Sequence, residues 1–135
     1  MPASLSERDE QLIREFESDA LPADSFHHAD HVRLVFAYLR QYPVLQALEK
    51  FIAALQRFAA ARGKTQLYNE TITFAYFFLI RERMVRSEAA DWEEFALRNP
   101  DLLVGKNDIL RRYYRESTLR TDLARGIFVF PDNFE

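Results

Sequence analysis

The run Phe74-Ala75-Tyr76-Phe77-Phe78-Leu79-Ile80 is apolar at every angle around a helix axis, so a helix built from it needs neighbours on most sides. That requirement shapes the rest of the chain, which must supply a surrounding layer. A buried strand is the competing reading of these seven residues. Helix is preferred because Asn69 offers a cap and the Glu70 carboxylate suits a helix N-terminus. The charged continuation Arg81-Glu82-Arg83-Met84 then contains no Gly or Pro to stop it.

The flanking segments read as the layer. Leu12, Ile13 and Phe16 form a helix-spaced stripe, with Ser4 or Ser6 as cap, predicting a first helix over about residues 6–18. Pro22 and the polar Asp24-Ser25 interrupt the pattern. Val32, Val35, Phe36 and Leu39 then mark a second helix that runs up to Pro43. Leu45, Leu48, Ile52, Leu55 and Ala59 mark a third that stops at Gly63. Trp92, Phe95 and Ala96 predict a short fifth helix ending before Asn99-Pro100. Ile109, Leu110, Tyr113 and Tyr114 predict a sixth starting near Asn107, and Leu119 and Leu123 a last turn or two stopped at Gly126. Ile127 to Phe130 is expected to lie extended across the bundle, since one strand without partners makes no sheet.

The expectation is therefore all-α: a single helical domain over residues 1–135, a compact bundle of about five to six helices around a largely buried central one. With 135 residues a second domain has no room. Apolar residues make up 48% of the chain against only 3 Gly and 5 Pro, a balance that favours a packed core over disorder. The absence of cysteine excludes disulfides, thiolate catalysis and Cys-based metal sites. Met1 to Glu17 carries no apolar run, reading as neither a secretory signal nor a transit peptide, and the longest apolar run is far below the roughly 20 residues of a membrane span. A cytoplasmic chain without a membrane partner is expected.

All three histidines lie within five residues, in Phe26-His27-His28-Ala29-Asp30-His31. At about 100° per residue, with Val32 at zero, the apolar face of the second helix centres near 340°. His28 falls near 320° and His31 near 260°, so both point toward the core; His27 sits at the margin and Asp30 faces away. Histidines three residues apart stack one turn over another, a spacing that chelates a divalent metal ion when a carboxylate from another helix completes the set. Glu70 is the best such carboxylate, with His27 as an additional donor, and Tyr68, Asn69, Thr71 and Thr73 as second hydrogen-bonding partners.

Three readings of this constellation stand side by side. His28, His31 and Glu70 could form an open mononuclear metal site that acidifies a bound water. A histidine could act as a metal-free general base oriented by Glu70 or Asp30. Or His28 could simply hydrogen-bond backbone or Asp30 while Glu70 serves as a first-turn acid, both purely structural. No H-E-x-x-H motif occurs, and no Glu stands three residues before a histidine, which disfavours a di-iron centre.

Phe26-His27-His28-x-Asp30-His31, Tyr68-x-Glu70-Thr71-Ile72-Thr73 and Asn99-Pro100-Asp101-Leu102-Leu103 together resemble a group of small bacterial helical proteins without an established activity. The resemblance spans most of the chain and implies a compact helical fold. Members of that group carry His where this chain has Asn69, which implies that one potential ligand is missing here.

Other constellations are weaker. Residues 1–24 hold seven acids against Arg8 and Arg14, while Lys106 to Arg125 holds six basic residues against three acids; the late cations could meet an anionic partner or pair with the acidic N-terminus. Tyr113-Tyr114 among Arg111, Arg112 and Arg115 could stack on bases, yet the net charge is -3 and no recognised motif accompanies them, so nucleic-acid binding is disfavoured. Arg125 is a candidate for a substrate carboxylate or phosphate if the chain end folds over a pocket. There is no phosphate loop, nucleophile elbow or dinucleotide fingerprint. Two functions remain: a metal- or histidine-dependent enzyme acting on a small molecule, or a non-catalytic module in which 12 Phe help to line a ligand pocket or a homodimer face.

Overall fold

Capping side chains fix where the helices begin. The computed structural model of the chain describes residues 6–18, 20–21 and 26–134; Ser4, Pro22, Asp24 and Ser25 lie outside them. Helix α1 (Glu7–Glu17) opens at Ser6, whose Oγ accepts from the Asp9 amide at 3.1 Å. Helix α2 (His28–Gln41) opens at His27, whose amide donates to Asp30 Oδ2 at 2.9 Å. Pro43 separates it from α3 (Val44–Ala61). Just beyond α3, Gly63 takes φ 65°, a left-handed conformation that glycine adopts without steric cost.

Helix α4 (Glu70–Ser87) opens at Asn69, and this one side chain does two jobs. Its Oδ1 accepts from the Ile72 amide at 2.9 Å, and its Nδ2 donates to the Leu119 carbonyl at 2.8 Å, tying the helix start to a distant segment. Asp91 caps α5 (Trp92–Arg98), α6 (Glu116–Leu119) follows, and Thr121 caps α7 (Asp122–Gly126). Among the described residues there is no strand, and no helix is long and apolar enough to cross a membrane.

Helix α4 packs against α2, α5 and α7, and α2, packed against α1, α3 and α4, is the more deeply buried of the two. From Thr71 to Ile80 only Phe78 is exposed, whereas beyond Ile80 the helix faces solvent through residues such as Val85. Phe77 and Ile80 are fully enclosed, which contributes about 1.5–3 kcal/mol each. One core, running from Ile13 in α1 to Leu119 in α6, joins the elements.

The sixth helix expected from Asn107 to Tyr114 is a single 3-10 turn, Ile109–Arg112. Lys106 and Asn107 both adopt positive φ, 60° and 58°, so the chain turns back on itself where a helix would have to nucleate. Ile109, Leu110 and Tyr114 still fill the core, as their spacing requires. The end of the chain crosses α4 as an extended strap. Thr71 Oγ1 donates to the Ile127 carbonyl at 2.8 Å and accepts from the Val129 amide at 3.0 Å. Tyr114 donates its hydroxyl proton to the Val129 carbonyl at 2.6 Å.

Charged groups pair mostly with near neighbours. Asp9, 4% exposed, meets Arg33 of α2 at 2.7 Å, and Arg83 forks onto both carboxylate oxygens of Asp101 at 2.9 Å. The late cations Arg112, Arg120 and Arg125 pair with Asp101, Glu116 and Asp122.

Candidate functional site

The N-terminal turns of α2 and α4 and the inner face of α3 do not close on one another, and they leave a cavity of about 480 Å³. Its inner walls are apolar: Val32 and Val35 from α2, Phe51 and Phe58 from α3, Ile72 and Ile80 from α4. Polar groups meet these walls from three directions, His28 and His31 on α2, Tyr68, Asn69 and Thr73 at the start of α4, and Asn107 from the turn after α5. Arg62 and Lys64 line it as well, and among the described residues no acidic one does.

The helical phase places His28 and His31 inward, and both line the cavity. They do different things there. The Nε2 of His28 lies 2.9 Å from the Leu102 carbonyl, and since a carbonyl only accepts, that nitrogen carries a proton. Its ring meets Tyr76 edge-on at 4.9 Å, and Gly105 passes close enough that an added Cβ would lie 3.8 Å from His28 Cβ. His28 is thus clamped between α4 and the loop that follows α5.

His31 stacks on Phe26 with ring centroids 4.3 Å apart, and Phe26 packs in turn on Phe16 and Phe58. Among the described residues its ring nitrogens have no hydrogen-bond partner. Burial, and then the proximity of His28, depress its pKa from 6.5 to about 4, against a smaller upward pull from Asp30. His31 is therefore uncharged at neutral pH, a ring with one donor and one acceptor turned to an empty space.

Glu70 stands in the first turn of α4 but does not line the cavity. Its Oε1 accepts the Tyr68 hydroxyl proton at 2.9 Å; burial and this bond push the tyrosine well above its ordinary range. Among the described residues no group of three or more His, Asp or Glu is placed to hold a metal ion. The structure brings His28 and His31 together and leaves Glu70 outside their reach. His27 is exposed at the start of α2, and Asp30 closes that end of the helix.

Of the residues expected to touch a ligand, Tyr68, Asn69 and Thr73 line the cavity. Asn69 reaches it with its amide already committed to the cap and to Leu119, and Thr73 Oγ1 donates to the Asn69 carbonyl at 2.8 Å. Arg125 sits elsewhere, on α7, where it pairs with Asp122 at 3.4 Å.

Sequence reasoning missed the α3 wall, the two cations and Tyr76. The Tyr76 hydroxyl is buried with no hydrogen-bond partner, and burial together with the charge of Asp108 raises its pKa to about 12. Leu55 and Ala59 were legible only as part of one more apolar stripe, with nothing to mark them as cavity lining. Arg62, just beyond the end of α3, donates to the carbonyls of Phe58, at 3.2 Å, and Leu21, and lies 3.6 Å over the Phe58 ring. Comparison with protein-family models, with curated proteins and with solved structures returns no match.

Proposed function

We propose that this chain is a small-molecule binding domain, with the cavity between α2, α3 and α4 as its site. The observation that carries the reading is the wall itself: an apolar enclosure of about 480 Å³, into which an uncharged, unpartnered His31 is turned. Volume and lining match a ligand pocket, typically about 300–1,000 Å³ and largely apolar with a few convergent polar groups.

The competing reading, a metal- or histidine-dependent enzyme working through His28, His31 and Glu70, draws on the same two histidines. It is less well supported. His28 spends its Nε2 on Leu102, Glu70 is turned to Tyr68, and a base with a pKa near 4 lies far from the optimum for proton transfer at neutral pH. Elemental analysis of untagged protein loaded with divalent metal separates the two, because stoichiometric metal that disappears in both His28→Ala and Glu70→Ala would restore the enzyme reading.

Titration with 2-naphthol, an uncharged ring of suitable size, followed by its fluorescence, tests the proposal directly. Saturable binding is expected, weakened by roughly tenfold or more in Ala59→Trp, whose side chain fills the space that the ligand needs. Equal binding by the wild type and a folded Ala59→Trp variant would place the ligand elsewhere and overturn the assignment.

A further inference from the structure

The cavity has a polarity of charge that its apolar walls do not share. Among the described residues the ionic side chains lining it, Arg62 and Lys64, are cations. Arg62 is engaged with the Phe58 and Leu21 carbonyls and the face of Phe58, so it holds the mouth in place. Lys64 is exposed, and among the described residues its ammonium has no ion-pair or hydrogen-bond partner. It is a charge at the rim that is able to follow a ligand.

The interior is different. His31 stays uncharged down to about pH 4, and at the Tyr76 end the field of the Asp108 carboxylate is felt. An anion pushed to that end would lie buried without a counter-ion and beside a like charge, a costly arrangement. The same anion at the rim would stay partly solvated and meet Lys64.

Building on the binding function proposed above, we infer that the ligand is a compact aromatic monocarboxylate, bound with its ring between Val35, Phe51 and Ile72 and its carboxylate at Lys64 on the rim. The apolar walls select the ring, the modest volume excludes long acyl chains, and the lone mobile cation selects a single negative charge.

Matched titrations of the full chain with 2-naphthoate and 2-naphthol test this. The carboxylate is expected to bind about fivefold more tightly than the alcohol at low ionic strength, an advantage that added salt erodes. Lys64→Gln should abolish the advantage by weakening 2-naphthoate more than 2-naphthol, and Lys64→Glu should reverse it. Because Lys64 is exposed, both variants should melt like the wild type. If 2-naphthol binds and 2-naphthoate binds no better, or keeps its advantage in Lys64→Gln, the carboxylate assignment falls and the cavity remains a ligand site. If neither binds, both readings fall together.

Discussion

On one side of α4, Ile72, Tyr76 and Ile80 look onto a cavity of about 480 Å³; on the other, Phe74, Phe78 and Glu82 line a more open groove of about 280 Å³ beneath the C-terminal strap. The first side is covered by helices, whose separation is fixed by contacts elsewhere along their length, so a gap between them cannot be closed locally. The second is covered by extended chain, which follows the helix surface residue by residue. Phe128 stacks on Phe74 at 6.0 Å, and Thr71 and Tyr114 hold the strap by its backbone. The strap needs no precise side-chain fit, which is why Phe130 can remain 80% exposed. Polar groups on the strap side are consumed in tying it down, whereas on the helix side His31 is left unpartnered. That contrast, more than cavity size, is what supports the first side as the proposed site.

Three substitutions bear on the contrast. The largest effect is expected from His31→Phe, which keeps a ring against Phe26 and removes the titrating group. As pH falls below 6.5 the unfolded chain takes up a proton that folded His31 refuses until about pH 4, so stability drops through that window, by up to about 3 kcal/mol at ~1.4 kcal/mol per unit. Denaturant melts from pH 7 to 4 should show a shallower decline in the variant; an identical decline would mean that His31 is not held neutral. Asp101, kept below the usual carboxylate range by Arg83, and Asp132, kept low by Thr118, act only at more acidic pH and do not confuse the comparison.

Thr71→Val attacks the other side. It leaves the Ile127 carbonyl and the Val129 amide without their partner, at a cost of about 2 kcal/mol. Hydrogen exchange at Val129 should accelerate much more than exchange around Val35, and uniform acceleration would show that strap and cavity unfold as one unit. The smallest effect belongs to Tyr76→Phe. Removing a buried hydroxyl that has no partner should stabilise the fold by about 1 kcal/mol in thermal melts. A clear loss of stability would show that the hydroxyl is paired after all.

Most of the fold was legible in advance because it rests on local rules. Ser6 and Asn69 cap as their chemistry requires, Gly63 follows α3 with a positive φ, and the apolar run Phe74 to Ile80 lies in a helix whose first half is covered except at Phe78. The extended course of Ile127 to Phe130 followed from the lack of any strand to pair with. The expected sixth helix failed for a reason invisible to periodicity: two consecutive left-handed residues, Lys106 and Asn107, neither of them glycine, turn the chain where the helix would start.

The site divides in the same way. The sequence by itself determined that His28 and His31 face inward, since the angle of a side chain around its own helix depends only on spacing. It could not determine what they face. Glu70 turned to Tyr68, His28 found a carbonyl 74 residues away, and α3 brought the opposite wall together with Arg62 and Lys64. The distance and rotation of one helix against another are set by the packing of every residue along the contact, and only the tertiary structure records the result.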